Sequence, residues 1–195
     1  PGHRDILKGV SGRAHPGEMF ALMGASGAGK STLLDVLASR KNSGVVSGAV
    51  MYDGVEQFSL VSELQPSVEQ TRAAIRARAS TAYVTQDNVH IGELTVRQNL
   101  RYAALLRLDA SRYNDQKVNE RVNKILDMLG LTEHADTVTG NAYIRGISGG
   151  QLKRLSIAVE IVNLPWNFFL DEPTTGLDST ISYEVMNAVR NMANQ

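Results

Sequence analysis

The run Gly24-Ala25-Ser26-Gly27-Ala28-Gly29-Lys30-Ser31 fits the spacing G-x-x-x-x-G-K-[ST], a pattern suited to gripping a nucleotide by its phosphates. The glycines let backbone N–H groups curl around phosphate oxygens. A helix starting at Lys30 would point its positive end at them, and the Lys30 ammonium would reach the β and γ phosphates. Ser31 is placed to bind Mg²⁺. A glycine-rich turn without a ligand is the plainer explanation of such a run, so its setting between a strand and a helix decides its weight.

A second group of reactive side chains closes the apolar stretch Trp166 to Leu170. The Asp171 carboxylate can hold Mg²⁺, and Glu172 beside it can orient or deprotonate a water. Acidic residues at a strand end commonly just face solvent; together with a phosphate loop they read as a Mg-nucleotide site. The third group, Ile147-Ser148-Gly149-Gly150-Gln151, is another glycine turn opening a helix, hence a second possible phosphate nest. One nucleotide cannot occupy both nests of one chain unless the fold brings them together. The alternative is that each nest serves a different copy, a symmetric dimer closing over two nucleotides.

These groups need elements to hold them. Ile6-Leu7 and Met19 to Met23 are short apolar runs separated by Pro16-Gly17, which predicts two strands joined by a turn, the second leading into the glycine loop. Leu33, Leu34, Leu37 and Ala38 recur at helical spacing between Lys30 and Arg40. Strand, glycine loop and helix together open a nucleotide-binding α/β unit. Val45 to Tyr52, turning at Asp53-Gly54, and Ala82 to Thr85 read as further strands, and Ser62 to Arg78, with Arg72, Arg76 and Arg78, reads as a surface helix or mobile insert whose charges form a solvated face, with contact to a partner or lipid headgroups the sharper alternative. Thr95 to Leu106 and Val118 to Leu129 are helical by periodicity, Gly130 stopping the second. Helix resumes after Gly149-Gly150, Trp166 to Leu170 is a strand, and Ile181, Val185, Val189 and Met192 mark one face of a last helix.

At 195 residues and 43% hydrophobic side chains, the chain can bury one sizeable core, so a single compact unit is expected. Lys and Arg number 20 and Asp and Glu 20; a formal charge of zero gives no global field toward nucleic acid. With no cysteine, disulfides, thiolate metal sites and cysteine nucleophiles are excluded. The histidines His3, His15, His90 and His134 lack ligand spacing and read as solvated or packed. The stretch Ile157 to Leu170, interrupted by Glu160, Asn163 and Pro165, is too short and polar for a membrane span. Opening on Pro1 without a leader, the sequence reads as a piece of something longer.

Gly24 to Ser31, Gln86, Ser148-Gly149-Gly150-Gln151, Phe168 to Pro173 and Gly176-Leu177-Asp178 occur in the order and approximate spacing of ABC nucleotide-binding domains, which the sequence resembles over nearly its whole length. Residues 146–158, Thr174 to Ser179 and Leu94 to Leu100 resemble the G subfamily, including its pleiotropic drug resistance members. The resemblance implies an α/β fold, a P-loop NTPase ABC-type ATPase core with an antiparallel β region and an α-helical signature subdomain at about 95–163 of a single 1–195 domain. It implies a Mg-dependent ATPase that sandwiches ATP between two such domains. Gly24, Ala25, Ser26, Gly27, Ala28, Gly29, Lys30, Ser31 and Thr32 would bind phosphates, with Ser31, Gln86 and Asp171 on Mg²⁺ and Gln86 on the attacking water. Glu172 would be general base, while Ser148, Gly149, Gly150 and Gln151 would face the γ-phosphate of the opposite site, and Asp178 would link the two sites.

The segment His90 to Leu100 lies where this family touches its transmembrane domain. The expected role is to power an exporter of lipids, sterols or hydrophobic drugs at the cytoplasmic face of a membrane; the alternative is a soluble ABC ATPase remodelling ribosomes or DNA. Three departures stand out. The switch histidine beyond Glu172 would fall after Gln195, the adenine-stacking aromatic before Pro1, and the 55–81 stretch is longer than usual. The 195 residues alone are therefore expected to bind nucleotide weakly and hydrolyse it slowly.

Overall fold

A computed structural model describes residues 5–41, 43–52, 55–59 and 80–193. Its elements are α1 (Lys30–Leu37), β1 (Ala49–Tyr52), β2 (Val55–Ser59), β3 (Thr81–Val84), α2 (Val96–Arg107), α3 (Asp115–Met128), a 3₁₀ turn (Thr132–His134), α4 (Gly149–Ile161), β4 (Asn167–Leu170) and α5 (Ser179–Ala193). The chain divides into two compact units, Pro1–Ala82 with Trp166–Phe169 and Tyr83–Pro165 with Leu170–Gln195.

In the first unit, α1 carries the buried Val36, and Ala38 is buried just after its end. The predicted helix to Arg40 stops at Leu37 because Ser39 turns left-handed at φ 56°. The amides of Arg40 and Lys41 then fold back on the Asp35 carbonyl, satisfying a terminal acceptor. β1 and β2 pair antiparallel from Ala49 opposite Ser59 to Tyr52 opposite Val55, with a register shift between Val50 and Met51. The Tyr52 hydroxyl donates to the Leu37 carbonyl and so ties β1 to the end of α1; burial pushes its pKa up to about 12.

The strands predicted at Ile6-Leu7 and Met19 to Met23 are not formed, and the strand predicted from Val45 starts only at Ala49. An apolar run becomes a strand only where a partner takes up its backbone groups. At Met19 to Met23 no ladder forms among the described residues, a turn closes just before it by the Glu18 amide on the His15 carbonyl, and Met23 stays 88% exposed. The predicted turn at Asp53-Gly54 and the helix at Ser62 to Arg78 lie outside the described residues.

β3 and β4 pair with each other. The Ser80 carbonyl accepts from the Trp166 and Asn167 amides and the Val84 carbonyl from the Asp171 amide, so both strands advance in the same direction, and the intervening helices form the crossover such a pairing requires. In the second unit, Val96, Leu100 and Ala104 of α2, Val118, Val122, Ile125 and Leu126 of α3, and Leu155, Ile157 and Ala158 of α4 are buried at helical spacing. Thr95 caps α2 in a reciprocal box with Gln98, and Asn114 caps α3. Gly130, at φ 61°, follows the end of α3 as its sequence position predicts. At the C-terminus of α4, Arg107 donates to the Val159 carbonyl and Arg121 to those of Ile161 and Val162, placing cations where the helix leaves acceptors open. Among the described residues no helix is long and apolar enough to cross a membrane.

Candidate functional site

The first unit holds the glycine loop. Gly27 and Gly29 adopt φ of 75° and 95°, and the Ala28 amide closes a turn on the Ala25 carbonyl. Gly29 is needed twice over: its backbone is left-handed, and a Cβ there would meet Leu7 Cδ2 at 3.3 Å and Ile6 Cγ2 at 3.4 Å. Lys30 starts α1 and bends back, its Nζ donating to the carbonyls of Gly24 (2.8 Å) and Ala25 (2.9 Å). Its ammonium therefore lies along the loop, beside the first turn of α1 that begins at Lys30. A cation, a helix N-terminus and a left-handed glycine turn within one short segment fit a phosphate chain.

The second unit holds Asp171, Glu172, Gln86, Ser148 to Gln151 and Asp178. Tyr83 of β3 donates its hydroxyl to Asp171 Oδ2 at 3.3 Å. Glu172 follows β4 with φ 47°, left-handed for a side chain that disfavours it. Thr175 holds that turn, its Oγ1 donating to Glu172 Oε2 at 3.0 Å and its amide to the Glu172 carbonyl. The carboxylate just past β4 thus has both a fixed backbone and an oriented side chain.

The Ser-Gly-Gly-Gln turn is a capping box. Ser148 Oγ accepts from the Gln151 amide (3.3 Å), and Gln151 Oε1 accepts from the Ser148 amide (2.8 Å), opening α4. With Ser148 Oγ accepting there, its O–H remains able to donate to an anion at the helix start. Gly150 is also a packing requirement, since a Cβ there would lie 2.2 Å from Ile181 Cγ2 of α5. Asp178 caps α5, its Oδ1 accepting from the amides of Thr180 and Ile181.

Several positioning contacts were not read from the sequence. Lys153 of α4 is 2% exposed and donates to the carbonyls of Thr85 (3.1 Å) and Gln86 (3.0 Å). Burial lowers its pKa, partly offset by Asp87 and Asp171. Ser156 donates to Asn88 Oδ1 (2.7 Å) and lies 2.8 Å from His90 Nε2. His90, read as solvated or packed, is packed here, and burial holds its imidazole below the ordinary range. Asn99 exchanges hydrogen bonds with both backbone groups of Ile91. A signal for Lys153 exists: it occupies the stripe of the buried Gly150, Ile157 and Ile161, where a lysine is out of place unless partnered.

The model of a family described as ABC transporter matches residues 7–175. This chain therefore belongs to the ABC transporter family, as a nucleotide-binding domain, and its sequence resembles members of the G subfamily. It is similar to the broad substrate specificity ATP-binding cassette transporter ABCG2 of Sus scrofa, 41% identical over 98% of this chain and 26% of the relative. ABC transporter G family member 13 of Arabidopsis thaliana is 42% identical over 96% of this chain and 25% of its own length. The chain thus spans about a quarter of the curated relatives it matches. In three dimensions it resembles the ATP-binding cassette MJ0796, solved as a dimer in a post-hydrolysis state bound to ADP and Pi. The TM-score is 0.72 and the identity 24%, over 96% of this chain and 75% of the other. That likeness establishes the P-loop ABC-type ATPase fold.

Proposed function

We propose that this chain binds and hydrolyses Mg-ATP as one half of an ATP sandwich, and that it powers export of lipids, sterols or hydrophobic drugs by a membrane protein of which it is the cytoplasmic motor. The observation that carries this reading is the Gly24 to Ser31 loop, with its left-handed glycines and the Lys30 ammonium laid along it, in a chain of this family.

Within the reading, Gly24 to Thr32 hold the phosphates through backbone N–H groups, the Lys30 ammonium and the Ser31 and Thr32 hydroxyls. Ser31, Gln86 and Asp171 offer a hydroxyl, an amide oxygen and a carboxylate, the hard oxygen donors suited to Mg²⁺, which supplies neutralisation of phosphate charge. Glu172, steadied by Thr175, takes the proton as water attacks the γ-phosphorus, and the bond to ADP breaks to leave ADP and phosphate. Ser148, Gly149, Gly150 and Gln151 present the start of α4 to the γ-phosphate of a second domain, with Asp178 at the seam between the two sites.

The partners are a second nucleotide-binding domain, identical or homologous, and a transmembrane domain meeting the segment His90 to Leu100. The 195 residues then form one domain, with a helical subdomain at about 95–163. The relatives' names as transporters support this role over that of a soluble remodelling ATPase. Mg-ATP binding is the direct test, read with a fluorescent ATP analogue. Lys30→Ala should weaken it at least tenfold, and equal binding by both proteins would remove the phosphate-loop assignment.

A further inference from the structure

The segment from Thr85 to Ile91 leaves β3 and is solvent-exposed from Thr85 to Val89, yet α4 grips it repeatedly. Lys153 Nζ takes two consecutive carbonyls, those of Thr85 and Gln86. One turn on, Ser156 Oγ joins the side chains of Asn88 and His90. Asn99 of α2 fixes both backbone groups of Ile91 at the far end. An exposed loop needs no buried lysine to stay folded, and a buried ammonium is costly unless its donors are used. Here two of them are spent on the backbone carbonyls of Thr85 and Gln86.

We propose that Lys153 and Ser156 are positioning residues that lock the Gln86 segment to the helix beginning at Ser148, so that the two move as one body. This deepens the function proposed above and rests on it for the roles of Gln86 and Ser148. In that setting Gln86 serves the nucleotide on this chain's own phosphate loop, and Ser148 serves the nucleotide on the partner domain. The clamp therefore links the two ATP sites through a single helix: a γ-phosphate drawing on the start of α4 shifts the Gln86 backbone with it. Such a link requires a contiguous rigid element rather than mere nearness, and a helix with polar anchors one turn apart is such an element.

The test is backbone hydrogen exchange over residues 86–91 together with ATPase turnover and Mg-ATP affinity, in Lys153→Met, Lys153→Gln and Ser156→Ala of the full chain. Lys153→Met keeps the apolar stem and removes the donors. It should speed exchange in the segment at least tenfold and cut turnover at least tenfold, with affinity for Mg-ATP changed by less than about twofold. Lys153→Gln retains two N–H donors on a side chain one bond shorter and should recover most of both losses. Ser156→Ala, which deletes only a hydroxyl, should speed exchange at Asn88 to His90 by a few-fold and covers the case in which Lys153→Met fails to fold. Unchanged segment exchange in Ser156→Ala, or exchange rising evenly along α4 in the Lys153 variants with turnover falling only with the folded fraction, would overturn the clamp. The exchange measurement needs no nucleotide, so a failed Lys30→Ala test would sink the ATPase reading without touching it.

Discussion

Gly150 shows how one residue can answer to chemistry and packing together. Its amide belongs to the first turn of α4, where an anion is favoured, and its missing side chain lets α5 approach until Ile181 Cγ2 would stand 2.2 Å from any Cβ. Gly150→Ala should therefore destabilise the fold by about 1–3 kcal/mol, the usual range for overpacking, quite apart from any effect on ATP. Urea denaturation of Gly150→Ala, Ile181→Ala and the double variant checks this. The double variant should lose clearly less than the sum of the two, and strict additivity would mean that the two groups do not collide. Glu172 is a comparable case, since its left-handed backbone is a strain that Thr175 helps to hold. Neither feature was visible in the sequence. The motif letters named the residues, but a close approach and a φ angle arise from contacts with α5 and from the turn after β4.

At the scale of elements, the helices were legible because each carries both a periodic apolar face and a recognisable end. Thr95 and Ser148 start α2 and α4 with reciprocal caps, and Gly130 stops α3. The early strands were not legible, because Ile6-Leu7 and Met19 to Met23 have the composition of strands without a ladder partner among the described residues. Lys153 escaped notice because a lysine beside Arg154 looks like surface until the helix faces are counted. The anchoring of Thr85 to Ile91 on α4 also has a pH signature. Burial keeps the His90 imidazole below its unfolded value of about 6.5, so the unfolded chain binds more protons there. Stability from this group is thus present above the ordinary imidazole range and declines as pH falls through it. Urea midpoints at pH 7.5 and 5.5 should drop less in His90→Gln than in the parent chain; equal drops would show that His90 titrates in the folded state as it does unfolded.

At the scale of the whole molecule, the predicted site residues are distributed over both compact units. Gly24 to Thr32 lie in the first, and Gln86, Ser148 to Gln151, Asp171, Glu172 and Asp178 in the second. Sequence order and spacing sufficed to name the ABC transporter family, since three short motifs with demanding chemistry rarely fall in that order together. They did not reveal how α4 holds the Gln86 segment, which depends on the Lys153 side chain meeting the backbone carbonyl of Gln86, 67 residues away. The proposed function assigns the base of ATP hydrolysis to Glu172. The most direct measurement is steady-state phosphate release by Glu172→Gln against the parent sequence, each in a complete dimer, at saturating Mg-ATP. The account predicts retained nucleotide binding with a rate lower by about 10²–10⁴-fold, the usual contribution of general-base catalysis. An unchanged rate would contradict it.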